Sequence, residues 1–225
     1  QTLLMPVAWT SDGWPVIKDQ MRSWDKIPMP KGDNVGHGMP ISDDFSSDEL
    51  GIQWVYNPSE KERVQVRNGE LFLEARGENS KNASSISVVA TNKSFEATVK
   101  IECPEGVLAG FTFGNHEGLK TDGEIVSYTK GDVSSVYHAM RSASWGGRSN
   151  DVPVKTKGSV YLRIRNYRGD LSFYSSDDGE HWTTFQNGIR SSNHTIRLFA
   201  ARAHDRSTRK VKKATFSQFK YIGLK

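Results

Sequence analysis

The segment RSASWGGRSND, residues 141–151, combines residue types that bind sugars. Trp145 offers a flat aromatic face on which a pyranose ring can stack. The polar neighbours that could bond sugar hydroxyls are Arg141, Arg148, Asn150 and Asp151. Two glycines follow Trp145, and glycine lets a backbone approach a ligand closely. Among possible binding sites in the chain, this loop is the best candidate. A plain packing role for the Trp145 ring is nevertheless favoured over a binding role.

The carboxylates, the histidines and the cysteine do not have the spacing that is typical of catalytic or metal-binding sites. Several aspartates fall in turns or at strand ends, where solvated side chains are favoured over an acid/base pair. They are Asp43, Asp44, Asp177 and Asp178. The histidines have no zinc-ligand spacing. The six histidines are His37, His116, His138, His181, His194 and His204. No nucleophile elbow, phosphate-binding loop or dinucleotide motif occurs. Cys103 precedes Pro104 at a predicted strand end and is expected to be inert.

The elements that position these residues are predicted to be short strands. In SFEATVKIE, residues 94–102, apolar and polar side chains alternate strictly, which is typical of a strand with one buried face. Further strands are predicted at 70–76, 85–91, 159–167, 170–176, 195–202 and 213–222, and in VLAGFTFG, EIVSYT and VSSVYHAMR. Turn signals such as Asn68-Gly69 and Arg168-Gly169 separate them. Without any helical period, the pattern predicts an all-β antiparallel sandwich or barrel, and one-sided strands favour two sheets packed face to face.

The composition excludes several classes of protein. The 225 residues are 36% hydrophobic and 10% aromatic, and no window approaches the ~20 apolar residues of a membrane span. A single cysteine rules out a disulfide scaffold. The net charge of +4 does not indicate a nucleic-acid partner.

A basic run lies between the last two predicted strands. It consists of Arg202, Arg206, Arg209, Lys210, Lys212 and Lys213. We favour a solvated hairpin face over the binding of an anionic polymer, which would give a steep salt dependence.

The hairpin region YLRIRNYRGDLSFYSSDDGEHW, residues 161–182, has two tight turns between amphipathic strands. Core packing is predicted for Phe173 and Trp182, with an aromatic platform for a sugar as the alternative. Residues 161–182 resemble the later part of concanavalin A-like domains. The resemblance lies in two paired strands followed by Tyr-Ser, Asp-Gly and a final Trp.

Two further stretches resemble glycoside hydrolase family 43 β-xylosidases. Residues 43–75 are similar to the opening of their C-terminal sandwich. The matching residues are Asp43, Phe45, Leu50, Gly51, Gln53, Trp54, Asn57 and Pro58. The end, LFAARAH and KATFSQFKYIGL, resembles the family's closing strand, with Ser217 in place of the usual acidic residue. Near the start, TLLMPVAWTSDGWPVI resembles the segment that closes the five-bladed catalytic propeller. Its matching residues are Leu3, Pro6, Val7, Trp9, Asp12, Gly13, Trp14 and Pro15.

The resemblance implies three parts. Residues 1–18 would be the closing propeller strand, 19–40 a Pro/Gly-rich linker, and 41–225 an antiparallel two-sheet jelly-roll sandwich of concanavalin A type. The chain would then begin inside a larger enzyme that hydrolyses xylosidic or arabinosidic bonds. The family's three catalytic carboxylates lie in earlier blades, so no catalytic residue is assigned here.

The resemblance also suggests ligands and partners. The sandwich would stabilise the propeller, and the Trp145 loop could act as a lid at the active-site mouth. A plant-type poly- or oligosaccharide is the expected ligand, and neither nucleic acid nor membrane is expected. A structural calcium ion, held by Asp43 or Asp44, is the one cofactor considered. The alternatives are a stand-alone carbohydrate-binding module and a lectin-like interaction domain. The compartment is open, with a periplasmic or secreted home favoured.

Overall fold

The computed structural model describes residues 7–17, 40–115, 121–141, 146–148, 151–154, 159–203 and 211–224. The chain divides into two compact units, Gln1–His37 and Gly38–Lys225. In the first unit, strands β1 (Val7–Trp9) and β2 (Pro15–Ile17) pair in an antiparallel hairpin. The segment predicted as a single strand therefore contains two short ones, joined by a turn in which Gly13 has φ +84°. The predicted linker at 19–40 lies outside the described residues except for Pro40.

The second unit consists of two antiparallel seven-stranded sheets. The strands are β3 (Val64–Arg67), β4 (Glu70–Glu74), β5 (Ser84–Val89), β6 (Phe95–Glu102), β7 (Val107–Gly114), β8 (Thr121–Lys130), β9 (Val133–Arg141), β10 (Gly146–Arg148), β11 (Val152–Val154), β12 (Ser159–Tyr167), β13 (Asp170–Ser176), β14 (Thr183–Arg190), β15 (Thr195–Arg202) and β16 (Lys213–Gly223). A 3-10 helix (Pro58–Arg63) precedes β3.

The strand order mixes neighbours that are far apart in the chain. One sheet runs β10-β9-β8-β7-β15-β5, with β11 also paired to β9. The other, here called the groove sheet, runs β14-β13-β12-β6-β16-β4-β3. The two-sheet antiparallel sandwich predicted from the alternating strands is confirmed.

The main core lies between the two sheets, and β6 shows how one face of a strand contributes to it. On β6 the side chains of Phe95, Ala97, Val99 and Ile101 are fully buried, while the intervening polar residues are not. Since successive side chains of a strand point to opposite faces, this alternation sets which face meets the other sheet. Phe173 of β13 is also fully buried, as predicted.

Tight turns fix the register of two hairpins in the groove sheet. Asn68-Gly69 joins β3 to β4, and Arg168-Gly169 joins β12 to β13, with φ positive at all four residues. Two consecutive positive φ values are the signature of the type I′ turn, whose twist suits antiparallel strands. The turn signals of the sequence are thus confirmed at both positions.

Strand β16 contains an irregularity that the sequence pattern does not reveal. Its pairing with β6 shifts between Ser217 and Lys220, and Gln218 has φ +54°. An extra residue of this kind is a β-bulge, which re-aims the side chains that follow. As a result Phe219 is buried, whereas Gln218 and Lys220 face outward.

Two remaining expectations concern the cysteine and the membrane. Cys103 is buried, and burial raises the pKa of its thiol to about 12, which agrees with the inert role predicted for it. Within the described ranges, the structure contains no helix of the length and apolar character that a membrane crossing requires.

Candidate functional site

A groove of about 950 Å³ runs over the outer face of the groove sheet. Its floor is formed by outward side chains of β6, β12 and β16. Residues 42–53 form one wall, and the turn at 178–182 forms the other. The groove therefore lies on the side of the sheet that faces away from the core.

The centre of the floor is a stacked pair of side chains. The Arg163 guanidinium lies 3.6 Å from the centre of the Trp182 ring. Two residues of β6 fix the position of Arg163: its Nε lies 3.2 Å from Glu96 Oε1 and donates to Thr98 Oγ1 at 3.1 Å. Burial lowers the pKa of the Arg163 guanidinium, and the Glu96 carboxylate opposes that shift. The indole is thus oriented by a charged side chain with fixed partners of its own.

The turn beside Trp182 is ordered by a single carboxylate. Asp178 Oδ1 accepts hydrogen bonds from the backbone N–H groups of Glu180 and His181, both at 2.8 Å. These bonds, with those of the His181 ring and the Ser176 hydroxyl, hold the pKa of Asp178 well below its ordinary value. Gly179, at φ +83°, lies against the ring of Tyr161. Asp178 therefore stabilises the turn that forms this wall of the groove, and its location in a turn is the one predicted from the sequence.

The opposite wall is anchored by Asp43. Its Oδ1 accepts from the Phe45 N–H at 2.8 Å, and its Oδ2 accepts from the indole of Trp54 at 2.7 Å and from Gln53 Nε2 at 3.2 Å. Trp54 is buried and contacts the Phe219 ring, with centroids 4.9 Å apart. Asp43 consequently ties the first segment of the sandwich to the core.

The geometry at Asp43 and Asp44 bears on the predicted calcium ion. Asp44 is exposed, and hydrogen bonds from Ser46 lower the pKa of its carboxyl. Among the described residues, no group of three or more His, Cys, Asp or Glu side chains could hold a metal ion. Because both Asp43 oxygens already accept N–H donors, this donor set does not fit calcium well, and the calcium site stays a prediction.

The loop singled out in the sequence is described only in part. Trp145 and Asn150 lie outside the described residues. The backbones of Arg141 and Arg148 lie in β9 and β10, where Arg141 pairs with Gly146. Asp151 is described, and its Oδ2 accepts from the Tyr128 hydroxyl at 2.9 Å. The sugar-binding role of this loop therefore stays a prediction.

The basic run is also described in part. Arg206, Arg209 and Lys210 lie outside the described residues. Arg202 donates to the Ala75 carbonyl at 3.2 Å, and Lys213 donates to Gln65 Oε1 at 2.8 Å. These bonds tie the two side chains to neighbouring elements, and the interpretation of the run as a solvated hairpin face stays a prediction.

Trp182 is not part of the core, where it was predicted to pack. Its ring is half-buried on the outer face of the groove sheet, which is where the alternative of an aromatic platform would place it. The pattern of β12 holds the signal that could have found it, because Tyr161 and Arg163 alternate with buried Leu162. Arg163 lies opposite Thr98 on β6, so polar residues of two neighbouring strands meet on one face.

The chain was compared with protein families, curated proteins and solved structures. Residues 42–221 match the family described as the β-xylosidase C-terminal concanavalin A-like domain. A comparison with curated proteins finds no significant match.

Three solved structures have a similar fold. A family 43 glycoside hydrolase of Bacillus licheniformis is 21% identical with a TM-score of 0.66, over 98% of this chain and 46% of that chain. A bifunctional GH43-CE protein of Bacteroides eggerthii is 20% identical with a TM-score of 0.69, over 99% of this chain and 30% of that one. The CBM2 module of an evolved Dit protein from Lactobacillus casei BL23 phage J-1 is 10% identical with a TM-score of 0.56, over 80% of this chain and 93% of the module.

The chain thus spans about half, or less, of the length of the glycoside hydrolases that it resembles. At these identities the structures show a shared fold alone. The family model matches residues 42–221, which is well over half of the chain. The chain belongs to the family of β-xylosidase C-terminal concanavalin A-like domains, as its sequence motifs predicted.

Proposed function

We propose that this chain is the accessory C-terminal sandwich of a family 43 glycoside hydrolase that cleaves xylosidic or arabinosidic bonds. The observation that carries the proposal is the match of residues 42–221 to a domain family named for its place in β-xylosidases. Hydrolysis belongs to the catalytic domain of the parent enzyme, and the sandwich stabilises that domain.

The β1–β2 hairpin supports a contact with a catalytic propeller. Trp9 and Trp14 are 71% and 69% exposed, and Val7 and Val16 are 49% and 43% exposed. An isolated two-stranded hairpin is only marginally stable in water, and exposed tryptophans favour burial against a partner. We propose that this hairpin adds to the closing blade of the propeller.

The loop at 141–151 supplies the second proposed contact. Strand β10 pairs with the end of β9, so Arg141 and Gly146, which flank residues 142–145, are neighbours in one sheet. We propose that Trp145 and its polar neighbours border the active-site mouth. In that position the indole would contact bound substrate without taking part in bond cleavage.

The test is an assay of two proteins on aryl xylosides and aryl arabinofuranosides. The purified 225-residue chain should show no hydrolysis, whereas the complete product of its natural gene should hydrolyse at least one substrate. In the complete enzyme, Trp145→Ala should raise KM, and the exposed control Val133→Ala should not. Turnover by the chain alone, or a complete protein without glycosidase activity, would overturn the proposal.

A free-standing carbohydrate-binding module is the second candidate. It is favoured by the similarity to the CBM2 module, of which 93% is covered by this fold. A natural gene product with no catalytic domain would select this candidate over the first.

A further inference from the structure

We propose that the groove over β6, β12 and β16 binds a neutral oligosaccharide, with Trp182 as its stacking surface. This site is separate in sequence and in sheet from residues 141–151, because β9 and β10 belong to the other sheet. It also goes beyond the accessory role proposed above, because it gives the sandwich a ligand of its own.

The size of the groove fits an extended ligand. Its volume of about 950 Å³ is near the upper end of the roughly 300–1,000 Å³ range of small-molecule sites. The lining combines residues 42–53, the turn at 178–182 and outward residues of β6, β12 and β16. A ligand of several sugar rings fits within this volume.

The Trp182 ring is prepared for stacking before a ligand arrives. Arg163 covers one face of the indole at 3.6 Å, and Arg163 is itself fixed by Glu96 and Thr98. Trp182 remains half-buried and lines the groove. A ring oriented in advance loses little freedom on binding, which favours affinity.

The charge of the groove selects against anions. Six carboxylates line it, and in the described part of the chain they face only two basic side chains, Arg163 and Lys220. The carboxylates are Asp43, Asp44, Glu49, Glu96, Asp178 and Glu180. This acidic excess contrasts with the net charge of +4 of the whole chain. An anionic polymer would be repelled, whereas the hydroxyls of a neutral sugar can donate to the oxygens of an exposed carboxylate such as Glu180.

The bulge in β16 adds polar groups at the floor. The positive φ of Gln218 directs Gln218 and Lys220 outward while Phe219 enters the core. Bulges beside binding sites re-aim side chains in this way. An amide and an ammonium group thereby join the carboxylates and supply donors for sugar oxygens.

A metal ion is the competing occupant for an acidic groove, and the described residues argue against it. No group of three or more potential ligands is arranged to hold an ion among them. Asp43 and Asp178 accept several N–H donors each, so their oxygens are committed to the walls. The neutral sugar is therefore the occupant that fits both the aromatic ring and the hydrogen-bonding groups.

The test is isothermal titration of the 225-residue chain with xylohexaose, arabinohexaose, cellohexaose, mannohexaose and hexagalacturonate. At least one neutral hexasaccharide should bind with a Kd below about 1 mM, and the anionic hexagalacturonate should not. Trp182→Ala should weaken binding at least about tenfold, the magnitude of a lost aromatic stack. The matched control Tyr167→Ala, on the same face of β12 but outside the groove, should leave the Kd unchanged.

A second variant guards against a folding defect in Trp182→Ala. Glu180 is exposed, so Glu180→Ala should keep the circular dichroism spectrum and weaken binding several-fold. Failure of every neutral hexasaccharide to bind, equal binding of hexagalacturonate, or unchanged affinity in both groove variants would overturn the proposal. Loss of binding in Trp145→Ala alone would move the sugar to the loop and overturn it as well. None of these outcomes affects the accessory role, which is judged by hydrolysis in the complete enzyme.

Discussion

The two faces of the groove sheet are built from the same strands yet differ in nearly every physical property. On β12 the inward side chains Val160, Leu162 and Ile164 are at most 2% exposed and meet other apolar side chains. The outward residues Tyr161 and Arg163 are partly exposed and contact charged or aromatic neighbours. The comparison indicates that stability resides on the inner face, which leaves the outer face free to carry a ligand.

The largest effect should come from a change on the inner face of β13. Phe173→Ala removes a fully buried ring that contacts His138, with centroids 4.7 Å apart. The loss of a buried phenylalanine costs about 3–5 kcal/mol of unfolding free energy. Urea unfolding should be compared with Tyr174→Ala, the next residue, whose half-buried side chain faces outward. Similar losses in both variants would contradict the division between the faces.

A second pair of variants sharpens the comparison at the groove wall. Asp43→Ala leaves the indole N–H of Trp54 without its acceptor and removes two further bonds, at a cost of about 2–3 kcal/mol. Asp44→Ala should leave the unfolding free energy almost unchanged, because its carboxylate is exposed. Thermal unfolding measures both variants. The same scans with EDTA test the predicted calcium ion, and a large drop in Tm on chelation would establish it.

His138 allows the inner face to be probed by pH. Burial lowers the pKa of its imidazole from 6.5 to about 4. Above pH 6.5 the imidazole is neutral in the folded and in the unfolded protein. Below pH 6.5 the unfolded chain binds the proton at a higher pH than the folded protein does, so protonation favours unfolding. Stability should therefore fall by about 2 kcal/mol as the pH drops from 6.5 to 4. His138→Gln should remove this part of the slope in chemical unfolding, and identical slopes for both proteins would refute it.

The smallest effect on stability is expected on the outer face. Arg163→Gln breaks a partly exposed ion pair with Glu96, which is worth about 1 kcal/mol or less. It also removes the cation from the face of Trp182, so the indole should become more mobile. Tryptophan fluorescence anisotropy and thermal unfolding should record a mobile ring in a stable fold. A loss as large as that of Phe173→Ala would place Arg163 among the residues that hold the sandwich together.

Strand prediction was accurate to the residue for three long segments of the sandwich. The segments predicted at 159–167, 170–176 and 195–202 have the same bounds in the structure. The pattern gave no prediction for β3 or β14, because four residues of β3 alternate too briefly and β14 is mostly polar. Short apolar periods are a weak signal unless a partner strand supports them.

The candidate sites were harder to predict than the strands. Trp182 follows an Asp-Gly turn that packs against Tyr161, and its ring lies on Arg163, outside the core. Glu96, Arg163 and Gln218 come from three strands that are distant in sequence and meet through the order β12-β6-β16. Sequence spacing could not bring them together, because sheet pairing is set by long-range contacts.

By itself the sequence determined the all-β class, the turns at Asn68-Gly69 and Arg168-Gly169, the buried face of β6 and the family. These features depend on local rules, namely side-chain alternation, backbone φ preferences and characteristic motifs. The tertiary structure alone decided which strands are neighbours, where β16 bulges and which aromatic ring stays at the surface. Those outcomes depend on packing between distant segments, and through that packing one polar sheet face becomes a groove.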